Sequence, residues 1–261
     1  MEIERYRSVP LTRTGDARVY TPGVEDYLKV IWSLQQIEAP VSTSRIAERL
    51  GLTAAAVTAM VKRLAEQRLL RHEPYHGVRL TPAGELAALR IIRRHRVLEL
   101  FLTEILGYEW DRVHEEAERL EHAASDELIE RLAKLLGEPV RDPHGSAIPT
   151  ASGELDEGNY PTLAETGAGE QARVLEVQVN DAEMLRYLGS LELYPGAHVE
   201  VLEQAPFGGP VSLRVNGTPQ VLARGLAACI RVEPTAAGEW GDLSAAPGRS
   251  PSADDPPGSS P

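Results

Sequence analysis

The stretch "VSTSRIAERLGLTAAAVTAMVKRLAEQRLL" (residues 41–70) constrains the fold more than any other part of the chain. It contains two short helical patterns separated by only "GLT". Gly51 falls where a helix closes in a left-handed cap, and Thr53 where the next helix needs an acceptor for its first amides. Val57, Met60, Val61 and Leu64 then recur as one buried stripe. Two short helices with so little chain between them make a helix-turn-helix. Upstream, "TPGVEDYLKVIWSLQQIE" places Val24, Tyr27, Leu28, Ile31 and Leu34 on one face of a first helix, with Tyr27 and Trp32 expected in the core. Downstream, "LLRHEPYHGVRLT" gives two extended runs around "YHG", a β-hairpin wing. "TPAGE" then opens a long helix, with Thr81 as N-cap and Pro82 in the first turn.

Helical periodicity runs from Pro82 to about Leu136, with breaks near "GYEWD" (107–111) and Ala124. Residues 138–172 turn to Pro, Gly, Thr and Ser and read as a linker. From Arg173, "ARVLEVQV", "HVEVLEQ", "VSLRVNGTPQVLA" and "CIRVE" alternate apolar and polar residues, the pattern of a small antiparallel barrel or sandwich. The short helix "DAEMLRYLGSLELYPG" lies within it. The last 28 residues hold 15 Pro, Gly or Ser and are expected to be disordered. The expectation is an α+β protein with these divisions: an N-terminal extension (1–21), a winged helix-turn-helix (22–96), a helical domain (97–140), a linker (141–172), a small β-barrel domain (173–233) and a tail (234–261).

The net charge of −12 argues against nucleic acid until its distribution is read. Residues 1–96 carry 16 Lys and Arg against 10 Asp and Glu, residues 97–140 carry 4 against 12, and residues 141–261 carry 7 against 17. A basic head on an acidic body suits DNA binding by the head alone. A lone Cys229 excludes an internal disulfide and a multi-cysteine zinc site. No run of 18 apolar residues spans a membrane and no secretory signal is visible, so a cytoplasmic location is expected.

The chemistry gathers in "RVHEEAERLEHAASDE" (112–127). His114, Glu118, Glu121 and His122, at spacings 0, +4, +7 and +8, share one stripe of a helix. Such a stripe is either a solvated charge face or a ligand set. His95 and Glu99, four apart, read alone as a surface ion pair. His72, His76, His144 and His198 read as surface residues. Carboxylates with imidazole and no thiolate suit Mn²⁺ or Fe²⁺ better than tetrahedral zinc. A metalloenzyme stands as an alternative, but there is no HExxH, no Ser/His/Asp set and no phosphate-cradling loop. A winged-helix sensor of small aromatic ligands is a third, disfavoured by 5% aromatic content.

In order and residue placement, the helix-turn-helix, wing, "RRHRVLE" and "VHEEAERLEHAASDE" resemble the diphtheria toxin repressor family of metal-dependent transcriptional regulators, and within it the manganese-sensing branch. The third segment resembles the SH3-like, FeoA-type domain that many members carry. The resemblance implies that Asp26, Glu118, Glu121 and His122 bind a primary regulatory metal. It implies that His95, Glu99 and His114 form an ancillary site, to which Asp181 and the Glu183–Met184 pair of the third domain align. Iron sensors in the family place cysteine at the position of Glu118; manganese sensors place a carboxylate. Sensors with a metal pair use a second acid one turn after Asp26. Here that position is Lys29, which repels a cation, so separate primary and ancillary sites are expected.

The resemblance further implies a homodimer on a palindromic double-stranded operator. Mn²⁺ (Fe²⁺ as the alternative) is the expected corepressor, and neither a membrane nor a small-molecule substrate is expected. Without metal, Asp26, Glu118 and Glu121 are expected to repel one another and push the first helix away. For DNA, Thr53, Ala55, Thr58 and Ala59 face the groove, and the alanines can touch only thymine methyls. Arg45, Lys62, Arg63 and the wing residues His76 and Arg79 are candidate phosphate clamps. Apolar Val97, Leu98, Phe101, Leu102 and Ile105 are expected to exceed what one head can cover and so to build the dimer.

Overall fold

A computed structural model describes residues 20–73, 76–156 and 158–235. The expected N-terminal extension and tail lie outside the described residues except for positions 20–21 and 234–235. The described residues divide into two compact units. The first holds positions up to 101 with 115–140 and 148–156; the second holds 102–114, 141–147 and those from 158 on.

The first unit begins with α1 (Pro22–Gln35), started by a proline that needs no amide partner. Its apolar side buries Val24, Tyr27, Leu28, Ile31, Trp32 and Leu34. Helix α2 (Thr43–Leu50) is capped by Ser42 Oγ, which accepts the Arg45 amide at 3.3 Å, and closes on Gly51 at φ 65°. Helix α3 (Ala54–Glu66) starts at Thr53, whose Oγ1 accepts the Ala56 amide at 3.3 Å. The wing is the antiparallel pair β1 (Leu70–Glu73) and β2 (Gly77–Leu80), and Val41 bridges to Val78 on its inner side. Leu28, Ile31, Ile46, Leu64 and Leu69 are fully buried in one core. Truncating any of them to alanine costs about 2–5 kcal/mol by lost transfer energy and cavity formation.

Helix α4 (Pro82–Glu104) leaves the wing, and α5 (Val113–Glu121) and α6 (Asp126–Leu135) follow. The breaks between them, at 105–112 and 122–125, match the interruptions in periodicity. Ser125 Oγ caps α6 by accepting the Leu128 amide.

In the second unit a five-stranded antiparallel sheet has the order β6-β5-β4-β3-β7. The strands are β3 (Gln171–Val177), β4 (His198–Gln204), β5 (Val211–Val215), β6 (Thr218–Leu222) and β7 (Ile230–Pro234). Helix α7 (Ala182–Ser190) packs Leu185 and Leu188 into its core, and the short α8 (Arg224–Ala227) precedes β7. The whole is the α+β arrangement read from the sequence.

Three readings are corrected. His144 is not a surface residue: it is 7% exposed, stacked on Trp110, with Nε2 2.8 Å from the Trp110 carbonyl oxygen. Val97, Leu98 and Leu102 are buried within the chain itself, so only Phe101, half-buried, and Ile105, 53% exposed, remain of the apolar set assigned to a dimer face. His95 and Glu99 pair, as i, i+4 spacing suggests, but buried and not at the surface.

Candidate metal centre

The first unit brings the polar side of α1 against the end of α5. Asp26, Glu121 and His122 offer oxygen and nitrogen atoms that all lie within 4.8 Å of one another. His122 Nε2 stands 3.0 Å from Asp26 Oδ1 and 3.7 Å from Glu121 Oε1. The other nitrogen, Nδ1, lies 2.7 Å from Oε2 of Glu25, a buried carboxylate next to Asp26 in sequence. With the Nδ1 proton donated to Glu25, the Nε2 lone pair faces Asp26 and Glu121, which is how a ligating histidine is usually oriented. Arg94 donates to Glu25 Oε1 at 3.0 Å and to Asp126 Oδ1, so the orienting carboxylate is itself held between α4 and α6.

Glu118 faces the same space, but through a cation. The Lys29 ammonium donates to Glu118 Oε1 at 2.6 Å and to both oxygens of Glu121, at 2.7 and 2.9 Å. Repulsion among Asp26, Glu118 and Glu121 is therefore not bare, as the sequence suggested; an ammonium from α1 already sits among them. Burial raises the Asp26 carboxyl above its ordinary range, with His122 and Lys29 opposing that rise.

Glu121 is completely buried and links these groups to His95 and Glu99 of α4. His95 Nδ1 lies 2.5 Å from Glu121 Oε2, and its Nε2 lies 2.8 Å from Glu99 Oε1. Burial by itself would expel the ring's second proton. Glu99 and Glu121 outweigh it and raise the imidazole to about 9, so at neutral pH His95 is a cation between two carboxylates. Burial would likewise raise Glu121, but the hydrogen bond and charge of His95, with Lys29, hold it below the usual carboxylate range.

His114 is the second residue of α5, one turn before Glu118, in the part of that helix counted with the second unit. Asp181 is the N-cap of α7, its carboxylate accepting the Met184 amide at 2.9 Å, and Glu183 is exposed in the first turn of that helix. Glu25 and Arg94 were not read from the sequence as site residues. The available signal was an acid adjoining Asp26 and the need of any ligating histidine for a second partner.

On the DNA-binding side, Thr53, Ala55, Thr58, Ala59, Lys62 and Arg63 are exposed along α3. Thr58 Oγ1 donates to the Ala54 carbonyl. Arg45 is paired with Glu38 at 2.9 Å. In the wing, His76 is exposed and Arg79 donates to the Ala39 carbonyl at 2.9 Å.

Three family models match the chain. They are the iron-dependent repressor N-terminal DNA-binding domain over residues 20–78, the iron-dependent repressor metal-binding and dimerisation domain over 81–150, and the FeoA domain over 162–234. A winged helix whose first helix also enters a carboxylate–imidazole cluster, matched in this way, defines a metal-dependent DNA-binding repressor. The diphtheria toxin repressor of Corynebacterium efficiens is 33% identical over 219 residues, which cover 80% of this chain and 94% of that one. The chain belongs to the diphtheria toxin repressor family. The iron-dependent repressor IdeR of Mycobacterium tuberculosis is 32% identical over 80% of this chain and 96% of its own length. A solved manganese-dependent transcriptional repressor in complex with manganese is 40% identical, with a TM-score of 0.76, over 81% of this chain and 100% of its own.

Proposed function

We propose that this repressor answers to Mn²⁺, with the metal acting as corepressor of metal-uptake genes in the cytoplasm. The observation that carries the reading is the donor set on α1 and α5. Asp26, Glu121 and His122 offer hard oxygens and one oriented imidazole within 4.8 Å of one another; Glu118, joined to Glu121 through Lys29, adds a further carboxylate, and none of the four is a thiolate. That set fits a divalent ion of near-octahedral preference; tetrahedral zinc sites favour softer donors. When bound, the ion supplies positive charge that cancels the carboxylates' repulsion. The rest belongs to the chain. Asp26 rides on α1, whose opposite face is the core of the DNA-binding head, so its ligation fixes that head against α5. Two heads fixed in a homodimer match two half-sites of a palindromic operator; loose heads do not.

In this reading residues 22–96 contact DNA, residues 97–140 dimerise and hold the metal, and residues 173–233 modulate the response. His95, Glu99 and His114, with Asp181 and Glu183, are assigned to an ancillary site. Thr53, Ala55, Thr58 and Ala59 face the groove, and Arg45, Lys62, Arg63, His76 and Arg79 clamp phosphates. The protein is not an enzyme and has no small-molecule substrate. No helix among the described residues is long and apolar enough to cross a membrane.

The iron-dependent names of the curated relatives favour a second reading, Fe²⁺ on the same ligands. Operator binding titrated with Mn²⁺, Fe²⁺ and Zn²⁺ side by side decides between them: activation at the lowest free Mn²⁺ supports the first. Glu118→Cys replaces a hard oxygen by a thiolate and is expected to move the ranking toward Fe²⁺ and softer ions. An unchanged ranking shows that selectivity resides outside this position.

A further inference from the structure

The cluster already holds a cation, and it belongs to the chain. Lys29 reaches from α1 between Glu118 and Glu121, and its three N–H donors meet three carboxylate oxygens at 2.6, 2.7 and 2.9 Å. That exhausts the donor capacity of an ammonium. Its side chain is 18% exposed and that of Glu121 fully buried, so the contact is shielded from water on one side and is more than a surface ion pair. An ammonium held on the same helix as Asp26 has a high effective concentration at these oxygens, independent of the solution around it.

We propose that the Lys29 ammonium is a tethered rival of the regulatory metal: it occupies the second cation position of the cluster and must release at least one of Glu118 and Glu121 before they can act as ligands. The inference rests on the reading of Asp26, Glu118, Glu121 and His122 as a metal site. It has two consequences. The primary site takes one ion per chain, since the space where a second would share these carboxylates is filled by a fixed positive charge. The concentration at which the protein responds is also set above the intrinsic affinity of the ligands, because part of their binding energy is spent on releasing Lys29.

A structural ion pair and a rival make opposite predictions when the charge is removed. If Lys29 only braces the ligands, a neutral side chain leaves two buried carboxylates unsupported, and metal binding weakens. If Lys29 competes, metal binding strengthens. The test is equilibrium titration of the metal-free full-length protein with Mn²⁺, counted by the EPR signal of the free ion, alongside thermal unfolding with and without Mn²⁺.

Lys29→Met, of similar length and no charge, is expected to bind the primary Mn²⁺ at least tenfold more tightly than the wild type. It should unfold at lower temperature without metal and gain more from Mn²⁺. Lys29→Glu is expected to add one Mn²⁺ per chain. Affinity in Lys29→Met equal to or weaker than wild type overturns the proposal, and so does unchanged stoichiometry in Lys29→Glu. Should Lys29→Met fail to fold, Lys29→Gln is read by the same sign. A wild-type chain that takes up neither Mn²⁺ nor Fe²⁺ overturns both this inference and the proposed function. A wild type that binds, beside a Lys29→Met that binds no better, removes this inference alone.

Discussion

His122 uses both of its nitrogens, and each has a separate partner. Glu25 takes Nδ1 at 2.7 Å while Nε2 faces Asp26, so Glu25 sets the tautomer on which ligation depends. Glu25→Ala is expected to lower Mn²⁺ affinity about 10- to 100-fold, the usual effect of losing an orienting partner. Titration of a variant shown to be folded by circular dichroism checks this, and wild-type affinity would sink the orienting role. His95 carries a pH consequence. Its imidazole, raised from 6.5 to about 9 because Glu99 and Glu121 outweigh burial, binds its second proton more tightly folded than unfolded. Its contribution to stability is therefore fully present below pH 6.5 and is lost as pH rises through about 9. Metal-free protein should lose stability across that window in denaturant titrations, and Glu99→Gln should flatten the loss. At this scale the spacings of Glu118, Glu121 and His122 from His114, at +4, +7 and +8, and of Glu99 from His95, at +4, were legible. The share of Glu25 was not, because an acid beside a ligand looks like any solvated acid until the histidine's second nitrogen is located.

The elements most legible in the sequence were those with chemical ends. Gly51, Thr53 and Thr81 mark helix boundaries because an amide or carbonyl there needs a partner, and the structure supplies each one. Residues 141–172 were less legible. They show no helical or strand period, yet Ile148, Leu163 and Ala164 are buried. His144 is turned inward by Asp142, whose Oδ1 accepts its amide at 2.9 Å. Irregular backbone reaches such positions through hydrogen bonds between neighbours, which no periodicity reports. The start of α4 also depends on a close approach. A Cβ added at Gly84 would stand 1.9 Å from the Leu69 carbonyl oxygen, just ahead of β1. Gly84→Ala must push the helix off the wing and is expected to cost about 1–3 kcal/mol, as overpacking does. Thermal unfolding measures this, and an unchanged midpoint would mean that the wing yields freely.

For the molecule as a whole, dimerisation has to be argued from what remains exposed. Leu128 and Leu135, seven apart on one face of α6, are 45% and 48% exposed. Leaving such side chains in water is unfavourable, and a second copy related by a two-fold axis covers both sets at once. Leu128→Glu with Leu135→Glu is expected to give a monomer that still takes up Mn²⁺ but no longer holds the operator tightly. Sedimentation shows the mass and gel shift the DNA. A dimer of unchanged mass would place the interface on other residues. The sequence could not choose among the apolar residues of this region, because Val97, Leu98 and Leu102 follow the same helical period as the exposed ones. Only the packed chain separates the sets.

Helix α1 carries Asp26 and Lys29 in its second turn and Ile31, Trp32 and Leu34 in the two that follow, without a glycine or a break between them. The residues that sense and the residues that support the reading head are thus parts of one rigid rod. No segment has to fold or unfold for news of the ion to pass from one to the other; the head moves with the rod as one body, on the microsecond-to-millisecond scale of domain motion. The delay between a change in free metal and a change at the promoter would then be set by ion arrival and departure.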